Sequence, residues 1–369
     1  MKHIIIFFVA TAFSVGVFSQ TKKVTGNLST SDTADLTILN IYPDSFPNVS
    51  VVFKAETRKG EPVWNLTKEK MAVRENTQHC EVVSLAQISK YKPINIGIVI
   101  DHSGSMRMGI HPIVDSFGNP TNTYNVDSIA PIDNAKSAVK TFVSTFNTKK
   151  DFIGVIGFSE EVDEVLPLSQ NVSTINASVD SMQAGGSTAF YDALIKGIEE
   201  VKKADGVKVL VALTDGQDNS SKSKWNEVVD IANKAEVPIY IVGLGNVNSD
   251  TLSLIAKSTK GQYYYTSSAS SLNVLYKEIS KQVQAFYELV YNSPNFSSAD
   301  STRQIALSFN IDSIYLVTNP STKAFPTEVV AFVARKEREK RYPLYGGIAL
   351  VVLAATGTIV YTYQKRKKS

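Results

Sequence analysis

Three oxygen-bearing side chains at alternate positions, Asp101, Ser103 and Ser105, end an apolar run, Ile94 to Ile100. Two more groups of the same kind follow far downstream. Thr188 stands in a glycine-flexed turn, Gly185-Gly186-Ser187-Thr188, and Asp215 opens Asp215-Gly216 after the apolar run Val207 to Leu213. Carboxylates and hydroxyls together suit a hard divalent cation, which takes oxygen ligands in near-octahedral array at about 2.0–2.1 Å when it is Mg2+. One loop cannot supply such a shell, so the chemistry requires all three segments to meet. Other chemistries fit these residues less well. His79, Cys80, His102 and His111 show no zinc-ligand spacing. Ser103 lacks a Gly-x-Ser-x-Gly setting and His and Asp partners, which argues against a hydrolase and predicts a protein that is not an enzyme. Gly243-Leu244-Gly245 lacks the third glycine and later acid of a dinucleotide fingerprint.

The elements around these residues must bring them together. Dense β-branched runs at 94–100 and 207–213 read as strands buried on both faces. Helical spacing covers 132–146, with further helices expected near 172–183, 189–204, 223–235, 249–258 and 270–286. Strands are expected at 152–158, 162–166, 238–244 and 263–265, with Ser159-Glu160-Glu161 as a hairpin that makes an antiparallel edge. Alternating strands and helices imply an α/β fold with a doubly wound, mostly parallel sheet, whose ligands gather at the carboxyl ends of the strands. Residues 106–131 read as a long polar connection beside the candidate cation, either an idle surface loop or a specificity loop. Asp192 and Asp218 lie close in sequence to Thr188 and Asp215, and capping explains them as well as chemistry does.

The set Asp101, Ser103, Ser105, Thr188 and Asp215 resembles the metal-ion-dependent adhesion site of von Willebrand factor type A domains, with all five motif positions present. The resemblance covers about residues 93–284. It implies that Ser103, Ser105 and Thr188 present hydroxyls to the metal, while Asp101 and Asp215 act directly or through water. The expected ion is Mg2+, with Mn2+ or Ca2+ as substitutes. The expected partner is a protein that offers an acidic side chain to the cation, in an adhesion or binding role. A scaffold subunit with a purely structural metal is the alternative.

The rest of the chain of 369 residues reads as flanks and anchors. Short alternating runs at 24–92 and 286–333 suggest β-rich segments, and they are expected to pair into one sandwich interrupted by the α/β domain. Residues 1–19 have the basic start, apolar core and small-residue end of a secretory signal peptide, so the mature chain is expected to begin at Gln20. Residues 344–363 carry no charge and would span about 30 Å as a helix, enough for a bilayer core. The basic tail 364–369 then belongs on the cytoplasmic side. These features predict a type I single-pass membrane protein with its bulk exported. Cys80 is the only cysteine, so no intrachain disulfide is possible, which favours a bacterial cytoplasmic membrane. With 38 Lys and Arg against 35 Asp and Glu, the net charge of +3 gives no basis for a nucleic-acid partner.

Overall fold

The computed structural model describes residues 34–57, 59–108, 110–114, 120–126, 129–294, 302–311 and 314–325, with 330, 331 and 335 singly. The expected signal peptide (1–19), membrane span (344–363) and basic tail (364–369) lie outside the described residues. Among the described residues no helix is long and apolar enough to cross a membrane. In chain order the first strands are β1 (Ala34–Tyr42), β2 (Asn48–Thr57), β3 (Met71–Glu75), β4 (Gln78–Gln87) and β5 (Ile94–Asp101). They are followed by β6 (Ile110–Val114), β7 (Pro120–Val126), α1 (Pro131–Ser144), β8 (Phe152–Phe158), β9 (Val162–Ser169), α2 (Val172–Ser181) and α3 (Phe190–Val201). Next come β10 (Val207–Thr214), α4 (Trp225–Ala235), β11 (Ile239–Leu244), α5 (Ser249–Ser258), β12 (Tyr263–Thr266) and α6 (Leu272–Gln284). The chain then returns to strands: β13 (Tyr287–Asn292), β14 (Thr302–Ile311), β15 (Ile314–Val317) and β16 (Ser321–Ala324).

The central sheet has the order β12-β11-β10-β5-β8-β9, parallel except for β9, which pairs antiparallel with β8. Alternate residues of each strand face opposite layers, so the sheet needs cover on both sides. Ile96, Ile98 and Ile100 of β5 and Val209, Val211 and Leu213 of β10 pack with α1, α2 and α6. Val99, Leu210, Ala212 and Ile241 point the other way, into α3, α4 and α5. From β5 the chain runs outward to β8 and β9, then crosses back to β10 and on to β11 and β12. Strand order therefore reverses between β5 and β10, which is where open α/β sheets bind ligands.

Strands from both flanks share one antiparallel ladder. β13 lies between β2 and β4, and β14 pairs with β3, in the order β1-β2-β13-β4-β3-β14-β15 with β16 also on β14. β4 serves two partners: its first residues pair with β3 and the rest with β13, so the sheet folds over at β4. β1 comes against β14 and β15, and both halves bury a common core that includes Val51, Phe53, Val73, Leu289 and Leu307. The α/β unit enters after Gln87 and leaves into Tyr287, and these two residues are ladder partners. Its two ends are thus side by side.

Residues 106–131 are not the plain connection expected. They hold a two-stranded hairpin, β6 with β7, in which Pro112 pairs with Tyr124 and Pro120 with Val114. Proline removes a ladder donor and discourages a strand reading. In a hairpin of two strands each strand is an edge, where proline is tolerated.

Candidate metal centre

The site grows from the ends of β5 and β10, the two strands that flank the reversal. Asp101 closes β5 and is wholly buried. Ser103 N–H donates to its Oδ1 at 2.8 Å, and the Thr214 hydroxyl donates to its Oδ2 at 2.6 Å. These bonds fix the carboxylate between its own loop and the end of β10. A short 3-10 turn, Gly104–Arg107, then carries Ser105. Ser103 Oγ lies 3.1 Å from Ser105 Oγ, and Ser105 Oγ donates to Asp215 Oδ1 at 2.6 Å.

Thr188 joins through the glycine that follows Asp215. A Cβ placed on Gly216 would stand 3.0 Å from Thr188 Oγ1 and 3.8 Å from Ser105 Oγ, so both hydroxyls border the space that this glycine leaves open. The Thr188 backbone is held by Asn219: its N–H donates to Asn219 Oδ1 at 2.9 Å, and its carbonyl accepts from Asn219 N–H at 3.0 Å. The Gly185–Gly186 turn is tied to the first loop, with Gly185 N–H on the His102 carbonyl at 2.8 Å and Gly104 N–H on the Gly186 carbonyl at 2.9 Å. Gly186 has φ +76°, a left-handed conformation that side chains other than glycine adopt at a cost. Asp101, Ser103, Ser105 and Asp215 are therefore linked by direct hydrogen bonds, and Thr188 borders the same space beside Gly216.

Electrostatics at the site favour a proton or a cation on the carboxylates. Burial raises the pKa of Asp101 above the ordinary carboxylate range. Burial first, and the neighbouring Asp101 charge second, push Asp215 up to about 7, while the Ser105 hydrogen bond opposes the shift. A buried carboxylate and a half-buried one beside it resist joint ionisation unless positive charge is placed near them. Every candidate donor is oxygen, two carboxylates and three hydroxyls, and among the described residues no three His, Cys, Asp or Glu side chains gather in one place. The oxygen set fits a hard divalent ion, which Asp101, Ser103, Ser105, Thr188 and Asp215 would hold and which would supply an electrophilic centre for an external oxygen ligand.

Several supporting residues carry no motif. His102 does not turn to the donors: Nδ1 lies 2.9 Å from the Gln183 carbonyl and Nε2 2.8 Å from Asp163 Oδ1, bracing the loop against β9 and the end of α2. Asp218 Oδ2 accepts from Tyr191 N–H, at the start of α3, at 3.1 Å. Asp192 accepts from Lys222 N–H at 2.9 Å and Ser223 N–H at 3.0 Å. Both acids thus hold the loop after Asp215 against the helix that follows Thr188.

Sheet order and reversal point define an α/β domain with an oxygen-rich cluster at the strand ends. The chain belongs to the von Willebrand factor type A domain family, whose model matches residues 95–281. An uncharacterised protein of Synechocystis sp. is 27% identical over 184 residues, 48% of this chain and 39% of that protein. Inter-alpha-trypsin inhibitor heavy chain H3 of Pongo abelii is 26% identical over 219 residues, 54% of this chain and 22% of that one. The chain thus spans well under half the length of these relatives. Among solved structures, a von Willebrand factor type A protein from Catenulispora acidiphila is 12% identical with a TM-score of 0.43, covering 79% of this chain and 72% of that one. Proximal thread matrix protein 1 from the mussel byssus, with a zinc-occupied MIDAS motif, is 21% identical with a TM-score of 0.44, covering 57% and 49%.

Proposed function

We propose that the chain is a non-enzymatic, membrane-anchored binding protein that captures a protein partner through a divalent cation, Mg2+ before Mn2+ or Ca2+. The observation that carries this reading is the convergence of Asp101, Ser103, Ser105, Thr188 and Asp215 at the reversal point, with both carboxylates raised in pKa. Three of the five donors are neutral hydroxyls. A cation so held keeps much of its charge, and an acidic side chain of the partner is the natural further ligand. Export by residues 1–19 and anchoring by 344–363 would present this face outside the cytoplasmic membrane, with 364–369 inside.

The test is affinity capture from membranes with Mg2+, with chelator, and with Asp101→Ala and Asp215→Ala. Capture is expected with Mg2+ alone and in neither variant, while the variants stay folded. Capture that survives chelator and both substitutions would contradict the reading. A second reading, a scaffold subunit whose ion is structural, draws on the bonds that already tie both Asp101 oxygens into the fold. It predicts that capture falls only in proportion to the chain that unfolds on metal removal.

A further inference from the structure

Arg107 closes the short turn that carries Ser105, and its side chain is fixed rather than trailing. Nε and Nη2 both donate to the Ala184 carbonyl, at 3.3 and 3.0 Å. A Cβ on Gly185 would lie 3.5 Å from Nη2, so the guanidinium rests on the Gly185–Gly186 turn. That turn is the segment bonded to His102 and Gly104 on one side and leading to Thr188 on the other. The cationic group is therefore held across the strip joining two of the donor segments.

Among the described residues its bonds to Ala184 are the only ones it makes, and Nη1 has no partner there. Asp101 and Asp215 are engaged with Thr214, Ser103 and Ser105. Glu160 reaches the same turn, 3.1 Å from where a Gly186 Cβ would stand, yet it forms no ion pair with Arg107. A guanidinium keeps its charge at every accessible pH, and its planar fork matches a carboxylate. Because the Ala184 carbonyl already restricts the side chain, less freedom is lost when an anion binds.

We propose that Arg107 is a specificity-determining residue that binds a second anionic group of the partner. The face then selects ligands with two acids a short span apart, one for the cation and one for Arg107. This rests on the cation-bridging reading and deepens it, by naming a paired-acid partner.

The test uses the full chain in detergent with Mg2+ and titrates acetate against straight-chain dicarboxylates from succinate to suberate, followed by chemical-shift changes. The best-fitting dicarboxylate is expected to bind about tenfold tighter than acetate, beyond the twofold that two identical ends give by statistics. Arg107→Gln should erase that gap and leave acetate unchanged, and Arg107→Lys should keep part of it. The proposal is overturned if no dicarboxylate outbinds acetate in the unaltered chain. It is equally overturned if Arg107→Gln weakens acetate and dicarboxylate alike, since Arg107 would then only hold the turn. Acetate binding that persists in chelator would remove the cation reading and this proposal with it. Chelator-sensitive acetate binding without a dicarboxylate gap would remove the Arg107 assignment alone.

Discussion

Burial raises Asp101, and burial together with the Asp101 charge raises Asp215, and this sets a pH dependence. Asp215 is raised from 3.8 to about 7 in the folded chain. The folded, metal-free state therefore holds its proton more tightly than the unfolded state does. Its contribution to stability is full below the unfolded pKa near 4 and is lost as pH rises through about 7. Cation binding at these carboxylates would run the opposite way, because the ion would compete with that proton. Calorimetric titration should show Mg2+ affinity rising with pH through about 7 and levelling above it, whereas the metal-free melting temperature falls over the same range. Gly216→Ala tests the space beside the donors: its Cβ would press on Thr188 Oγ1 at 3.0 Å. The expected outcome is a loss of cation affinity of about tenfold with little change in melting temperature, read by the same titration. The gathering of Asp101, Ser103, Ser105 and Asp215 was legible because residue type coincided with the ends of readable strands, and Thr188 because a glycine turn precedes a readable helix. Thr214, Asn219, the His102–Asp163 contact and Arg107 on Ala184 were not, because each role depends on a partner far away in sequence. Periodicity carries no information on such pairings.

At the scale of elements, the strands and helices of the α/β unit follow their hydrophobic periods, and β5 and β10 are the clearest because both faces are buried. The β6–β7 hairpin escaped the same reading because Pro112 lies inside one strand and Pro120 opens the other. In the flanks, single strands were legible from alternation. That β13 inserts between β2 and β4 is a long-range register fixed by the shared core. A buried ionic cluster joins the flanks. Glu75 on β3 accepts from Tyr291 Oη at 2.7 Å, Ser293 Oγ at 3.0 Å and Arg303 Nη1 at 2.8 Å. The Arg303 guanidinium lies 4.3 Å from the Phe325 ring centre and 5.3 Å from that of Phe46. Glu75→Ala removes the carboxylate that accepts from Tyr291, Ser293 and Arg303 and should cost about 3–5 kcal/mol, measured by denaturant unfolding.

For the molecule as a whole, one unit is inserted into the other through neighbouring strands, and the junction is partly polar. Lys260 Nζ donates to the Leu39 carbonyl at 2.9 Å, Gln282 Nε2 to the Gly60 carbonyl at 2.6 Å, and Lys323 pairs with Glu236. Leu39, Val52, Ile88 and Phe286 add an apolar contribution to the α/β core. Residues 93–284 expressed alone should therefore fold with a lowered melting temperature and bind the cation with the affinity of the full chain, since every donor lies within them. Circular dichroism and calorimetry check the two halves of that statement. Equilibrium dialysis against Mn2+ decides whether these five oxygen-bearing residues hold one hard cation. One ion per chain is expected, displaced by Mg2+, and none in a folded Asp101→Ala, Asp215→Ala variant. An unaltered chain that takes up no ion, or a double variant that takes up as many, would contradict it.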